Sequence, residues 1–240
     1  MIPISDNPRS RTFPIVNYTL IAINLVVFFY ELSLGDCTAF QECRLDTFID
    51  KRGVIPESYL NASAESLLLD PFTAMFIHAG WLHIIGNMLF LWVFGDNVED
   101  SMGHLRYLVF YLLCGYMATV GHVLANPDDL IPAIGASGAI SGVLAAYLVI
   151  FPKATVTALI PIFLFIPAQI PAFLMIGLWF LVQLSYGAAA FDPSNATADA
   201  TAYWAHIGGF AAGFVLVFWF RGPVRRSPYE RALEHSDSWP

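Results

Sequence analysis

The sequence predicts an all-α, polytopic membrane protein built as a bundle of six transmembrane helices. Three observations predict it. Of 240 residues, 57% are hydrophobic and only 12% are charged, whereas a soluble domain carries about a quarter charged residues. The apolar residues gather into runs close to the roughly 20 needed to cross a bilayer core. Those runs are separated by polar or Pro/Gly-containing punctuation.

Taken in order, the predicted spans cover residues 14–34, 83–98, 105–124, 134–150, 170–188 and 201–220. The first run is longer than a signal-peptide core and is not followed by a small-x-small cleavage site, so it reads as a retained helix. The apolar stretch 156–168 contains Pro161 and Pro167, which predicts an interfacial loop leading into the fifth helix. The connection 35–82 is far longer than the others, and Phe72, Phe76 and Trp81 suit it to lie partly in the interface or to plug the top of the bundle. A fully solvated loop is the alternative. No internal repeat or second domain is visible, so residues 13–220 form one domain between short tails, 1–12 and 221–240.

Basic residues set the expected orientation. Arg9, Arg11, Arg106, Lys153, Arg221, Arg225, Arg226 and Arg231 fall on one side, and Arg44, Lys51 and Arg52 on the other. The positive-inside rule then places both termini in the cytoplasm. The net charge of −8 comes without a basic patch, which excludes nucleic acid as a partner. Cys37 and Cys43 share the long outer connection. They are either a disulfide, as an oxidising compartment permits, or two free thiols.

The polar residues inside the spans are few, and such residues mark either packing contacts or a site. Ser137 follows Pro132 by five residues, which puts it about 7–8 Å into a fourth helix that starts at the proline. By itself "GASGAISG" is ordinary helix-packing sequence, with Gly138 and Gly142 forming a small-xxx-small face. His206 lies about 9 Å below the outer end of the sixth helix, and Gly209 and Gly213 give that helix a matching face. Should the two faces meet, Ser137 and His206 share a depth, and a histidine there can take a serine proton.

The second helix contributes His83 and Asn87, four residues apart and on one face, with His78 above them at the loop junction. Side chains of this type, with a backbone N–H near a helix start, can stabilise an oxyanion. Polar glue between helices is the competing reading. Asp96, Glu99 and Asp100 fall at the far end of that helix, so no Asp or Glu is expected inside the membrane and no carboxylate is placed to orient the histidine. A Ser–His dyad is thus the expected form, and an aspartyl mechanism drops out. "HAGWLH" is His-x4-His, which does not put two ligands on one helical face, so no metal is expected.

With these residues in place, the chain resembles the rhomboid intramembrane serine proteases over nearly its whole length. The GxSG of that family appears as Gly135-Ala136-Ser137-Gly138, its last-helix His-plus-GxxxG as His206, Gly209 and Gly213, and its H-x4-H-x3-N as His78, His83 and Asn87. The resemblance implies Ser137 as nucleophile and His206 as general base. It further implies an oxyanion site formed by Asn87, His83 and the backbone around Ser137 and Gly135, with His78 structural. It implies no cofactor, membrane-protein substrates within the lipid bilayer, and an inner-membrane location with the site opening to the extracytoplasmic side. Where some members carry an aromatic residue one turn after the nucleophile, this chain has Ser141. A non-proteolytic rhomboid-like binder or chaperone is the alternative, and a transporter is disfavoured by the lack of an inverted repeat.

Overall fold

The computed structural model describes residues 1–35, 44–162, 164–189 and 202–222. Cys37 and Cys43 lie outside them. The chain runs through strand β1 (Ile2–Asn7), helix α1 (Ile15–Ser33), three short helices α2 (Arg44–Arg52), α3 (Pro56–Tyr59) and α4 (Ala64–Ala74), then α5 (Trp81–Met102), α6 (His104–Ala125) and α7 (Ser137–Ile150). Strands β2 (Thr155–Ile162) and β3 (Leu164–Pro171) precede α8 (Ala172–Ala189) and α9 (Tyr203–Phe220). Four of these helices, α1, α6, α8 and α9, are long and apolar enough to cross a membrane. Helix α5 is as long as α6 but carries Asp96, Glu99 and Asp100 in its last two turns, and α7 is apolar but only 14 residues long.

The bundle has a mainly apolar core that encloses a small set of polar residues, and large apolar side chains are also exposed on its outside, as a lipid solvent requires. Along α1 the buried residues are Asn17, Leu20, Asn24, Phe28 and Glu31, a stripe at three- and four-residue spacing. Exposed Val26 and Phe29 occupy the other face. Asn17 ties three helices together. Its amide donates to the Leu91 carbonyl at 3.0 Å, and its oxygen accepts from the Tyr107 hydroxyl at 2.8 Å. Glu99 is fully buried, and its carboxylate accepts from the backbone N–H groups of Val16 at 3.0 Å and Asn17 at 2.7 Å. These are orphan donors of the first turn of α1, so the acidic end of α5 serves as a cap for its neighbour.

Helix α9 is held between α6 and α7 by glycine contacts. A methyl group on Gly209 would collide with the Gly138 carbonyl, and one on Gly213 would collide with the backbone of Gly142. On the other side, Gly121 of α6 faces Gly208. The two small-residue faces expected from the sequence therefore meet, and a third one on α6 completes the seat for α9.

Three expectations are corrected. The stretch read as an interfacial loop is a hairpin, β2 and β3, and the N-terminal tail joins it as β1 to make a three-stranded antiparallel sheet in the order β1-β2-β3. The fold is therefore mostly helical rather than all-α, and Ile2–Asn7 of the N-terminal tail form a strand paired with β2. Val156 and Ala158 are buried and alternate with less buried neighbours, the period of a strand. Pro167 is tolerated because β3 is an edge strand, with no ladder bond on its outer side to lose.

The second correction concerns the start of the fourth long helix. Helix α7 begins at Ser137 and not near Pro132, because Gly135 adopts φ +113° and donates its N–H to the Ala74 carbonyl at 2.8 Å. Positive φ breaks a helix and suits glycine. The third correction concerns buried acid. Glu31, inside the first predicted span, is 2% exposed and accepts from the His78 N–H at 3.2 Å, so the interior does hold a carboxylate.

Residues 44–80, the described part of the long connection, form a cover over one end of the bundle. Met75, just beyond α4, fills the space left by Gly115 on α6, and Phe72 packs on Tyr116 at 5.7 Å between ring centroids. The sheet closes the opposite end.

Candidate active site

Ser137 is the first residue of α7, and Ala136 before it offers no side-chain cap. The N–H groups of the first turn have no helical partners of their own, and the helix end is partially positive. A serine in this position sits beside unused donors. Its hydroxyl lies 2.8 Å from Nε2 of His206 on α9. Glycine packing sets that distance, since Gly138 and Gly209 allow the two helices to approach nearly backbone to backbone.

The other nitrogen of the ring, Nδ1, lies 2.7 Å from Oε1 of Gln183 on α8. Trp179, one turn earlier on the same helix, places its ring 5.8 Å from that of His206. Sequence reasoning missed both residues. Gln183 was legible only as the one amide in an otherwise apolar run, and no motif surrounds it. Trp179 supplies the aromatic contact that is absent at Ser141, whose hydroxyl instead donates to the Ser137 carbonyl at 2.7 Å.

His83 and Asn87 on α5 line the same cavity as Ser137, His206 and Trp179; its volume is about 710 Å³. The Ala79 N–H approaches Nδ1 of His83 at 3.4 Å, which leaves Nε2 as the protonated nitrogen. That Nε2 faces Gly135, where a Cβ would stand only 2.7 Å from it. Asn87 is 8% exposed, and its amide nitrogen has no hydrogen-bond partner among the described residues. Leaving a buried donor unpaired costs about 1–3 kcal/mol, so this amide is poised to meet an acceptor in the cavity.

His78 precedes α5, is 2% exposed, and stacks edge-on against His83 at 5.0 Å. The two rings therefore touch despite their five-residue separation, because the chain turns at Gly80 before the helix starts. Glu31 holds the backbone of His78 and has no contact with the His206 ring, whose Nδ1 faces an amide rather than a carboxylate. Among the described residues no group of His, Cys, Asp and Glu is arranged to hold a metal.

The Rhomboid domain family matches residues 67–223, which include every residue of this cavity's polar wall. The chain belongs to the rhomboid family. Together with its apolar helices, membership makes it a multi-pass membrane protein. Among its relatives, Rhomboid protein 1, mitochondrial, from Saccharomyces cerevisiae is 26% identical over 92% of this chain and 58% of its own length. RHOMBOID-like protein 1 of Arabidopsis thaliana is 24% identical over 89% of this chain and 55% of its own. Rhomboid protease GluP of Bacillus subtilis is 33% identical over 56% of this chain and 24% of its own. The chain thus spans little more than half the length of the first two of these relatives.

Proposed function

We propose that this rhomboid protein is an intramembrane serine endopeptidase that cleaves membrane-protein substrates in or near their transmembrane segments. The observation that carries the reading is the 2.8 Å approach of Ser137 Oγ to His206 Nε2 at the wall of a 710 Å³ cavity. In this reading Nε2 accepts the hydroxyl proton as Oγ attacks the scissile carbonyl. The resulting imidazolium then returns the proton to the leaving amine, and a water repeats the sequence on the acyl-enzyme. The tetrahedral oxyanion is received by the Ser137 N–H, the Asn87 amide and His83 Nε2–H, with Gly135 keeping the space clear for it. The unpaired Asn87 donor supports this assignment.

The proposed topology has six crossings with both termini cytoplasmic, α5 and α7 joining the four longer apolar helices. Helix α7 is about 21 Å long at 1.5 Å per residue, short of a roughly 30 Å hydrocarbon core. The stretch 132–136 makes up the difference and recesses Ser137 below the outer surface. A substrate helix has to unwind to expose its amide, because helical backbone shields its own carbonyls. Small or helix-breaking residues near its outer end favour that step. The membrane is a bacterial-type inner membrane in this reading, with the cavity opening to the extracytoplasmic side.

The test is cleavage of a labelled single-span peptide by the purified protein in lipid, compared with Ser137→Ala and His206→Ala. Cleavage by the parent and loss of at least about 10³-fold in both variants is the expected result. Equal cleavage by all three would assign the activity to a contaminant. A failure of the parent to cleave across several such peptides, while still binding them, would favour a non-proteolytic binder.

A further inference from the structure

Gln183 sits in the middle of α8, a helix whose remaining buried residues are Ala172, Met175, Ile176 and Gly187. Only 7% of it is exposed. An amide at such a place in a membrane helix is costly unless it is paired, and its oxygen is paired with Nδ1 of His206 at 2.7 Å. The identity of the amide atom facing the ring follows from the chemistry on the opposite nitrogen. A neutral imidazole has one donor and one acceptor nitrogen. If Nε2 accepts the Ser137 proton, Nδ1 carries hydrogen and requires an acceptor, and the amide oxygen is the atom that meets it. The reversed amide would place N–H against Nδ1, force the proton to Nε2, and leave the Ser137 hydroxyl facing a donor.

Resting on the protease reading, we propose that Gln183 is a positioning residue that fixes the tautomer and ring orientation of His206, so that the working unit is Ser137–His206–Gln183 with a neutral third member. During attack the proton moves from Ser137 Oγ to His206 Nε2, while the Nδ1–H bond to Gln183 Oε1 is kept throughout. Gln183 takes no proton and touches no substrate. Two further contacts hold α8 in the register this needs. The Trp204 indole N–H donates to the Gly187 carbonyl at 3.1 Å, and Phe180 stacks on Phe210 at 4.1 Å. Trp179 packs at a tilt against the ring, 5.8 Å between centroids. The orientation of His206, a residue of α9, is therefore set from α8.

A purely structural role predicts a different pattern, and Gln183→Met separates the two because methionine is close in length and offers only a weakly accepting thioether in place of the amide oxygen. Removing the partner that orients a functional histidine typically costs about 10–100-fold. Gln183→Met is expected to lower kcat by about that factor with KM and thermal stability close to the parent's. Gln183→Glu, which restores an acceptor, is expected to recover most of the rate. A structural role would instead lower the melting temperature of Gln183→Met and leave kcat unchanged, which would overturn the proposal. The independent readout is the 15N spectrum of the histidines in the full chain at pH 8, with His206 assigned by the signal missing from His206→Ala. The parent is expected to show hydrogen on Nδ1 and Gln183→Met to show a mixture or hydrogen on Nε2. Hydrogen on Nε2 in the parent would overturn the proposal whatever the kinetics. A parent that fails to cleave any peptide sinks the protease reading, while this spectrum still decides whether Gln183 sets the tautomer.

Discussion

At the scale of single residues, the site combines a serine hydroxyl 2.8 Å from an imidazole nitrogen with an amide that has no hydrogen-bond partner among the described residues. Asn87 carries a buried N–H group, unpaired among the described residues, on the same cavity wall as Ser137, and the proposed mechanism uses it as an oxyanion donor. Asn87→Ala is expected to reduce the cleavage rate by about 10²–10³, with substrate affinity nearly unchanged, since the donor acts on the oxyanion and not on the ground-state amide. Steady-state kinetics on the labelled peptide separate the two constants. A rise in KM at constant kcat would instead assign Asn87 to substrate binding. These residues were legible in the sequence because their spacing and common depth on three helices could be counted. Gln183 was not, because a lone amide in an apolar run has no spacing to count and its partner is 23 residues away in sequence.

At the scale of elements, the geometry of the dyad depends on helix packing more than on either side chain. The small faces of α7 and α9 were readable from GxxxG spacing, and the structure sets Gly138 against Gly209 and Gly142 against Gly213. Gly209→Ala is expected to destabilise the bundle by about 1–3 kcal/mol, the usual cost of overpacking a filled interface. Because the added methyl pushes the backbones apart at the level of the dyad, activity should fall further than stability. Thermal unfolding and cleavage measured on the same preparation check this, and an unchanged rate would show that the dyad does not depend on this contact. The apolar helices were legible for the reason lipid imposes, a long run of nonpolar residues. The start of α7 was not, because Ile134 to Gly142 is compatible with continuous helix and only the positive φ of Gly135 ends it. The hairpin was hidden for a related reason. Pro161 and Pro167 read as breakers, and only the pairing of β2 with both neighbours shows that a strand can carry them.

At the scale of the whole molecule, the N-terminal strand is attached to the bundle through a half-buried carboxylate at the end opposite α2–α4. Asp6 accepts from the Asn97 amide at 2.8 Å and the Tyr147 hydroxyl at 2.5 Å, and Asp96 lies close enough to repel it. Burial is the largest influence on Asp6 and raises its pKa to about 6, with the repulsion adding to it and the Tyr147 and Asn97 hydrogen bonds opposing it. A carboxyl group whose pKa is higher in the docked state than in the free chain binds its proton more tightly when docked. Its contribution to docking is then fully present below the free-chain value near 4 and is lost as pH rises through about 6. Amide hydrogen exchange in β1, corrected for its intrinsic pH dependence, is expected to show protection that weakens between pH 4 and pH 7. Asp6→Asn keeps an acceptor but cannot ionise, so its protection should stay flat over that range. A parent profile as flat as the variant's would mean that the Tyr147 and Asn97 hydrogen bonds compensate the charge on Asp6 in full, and that its protonation does not govern docking of the strand.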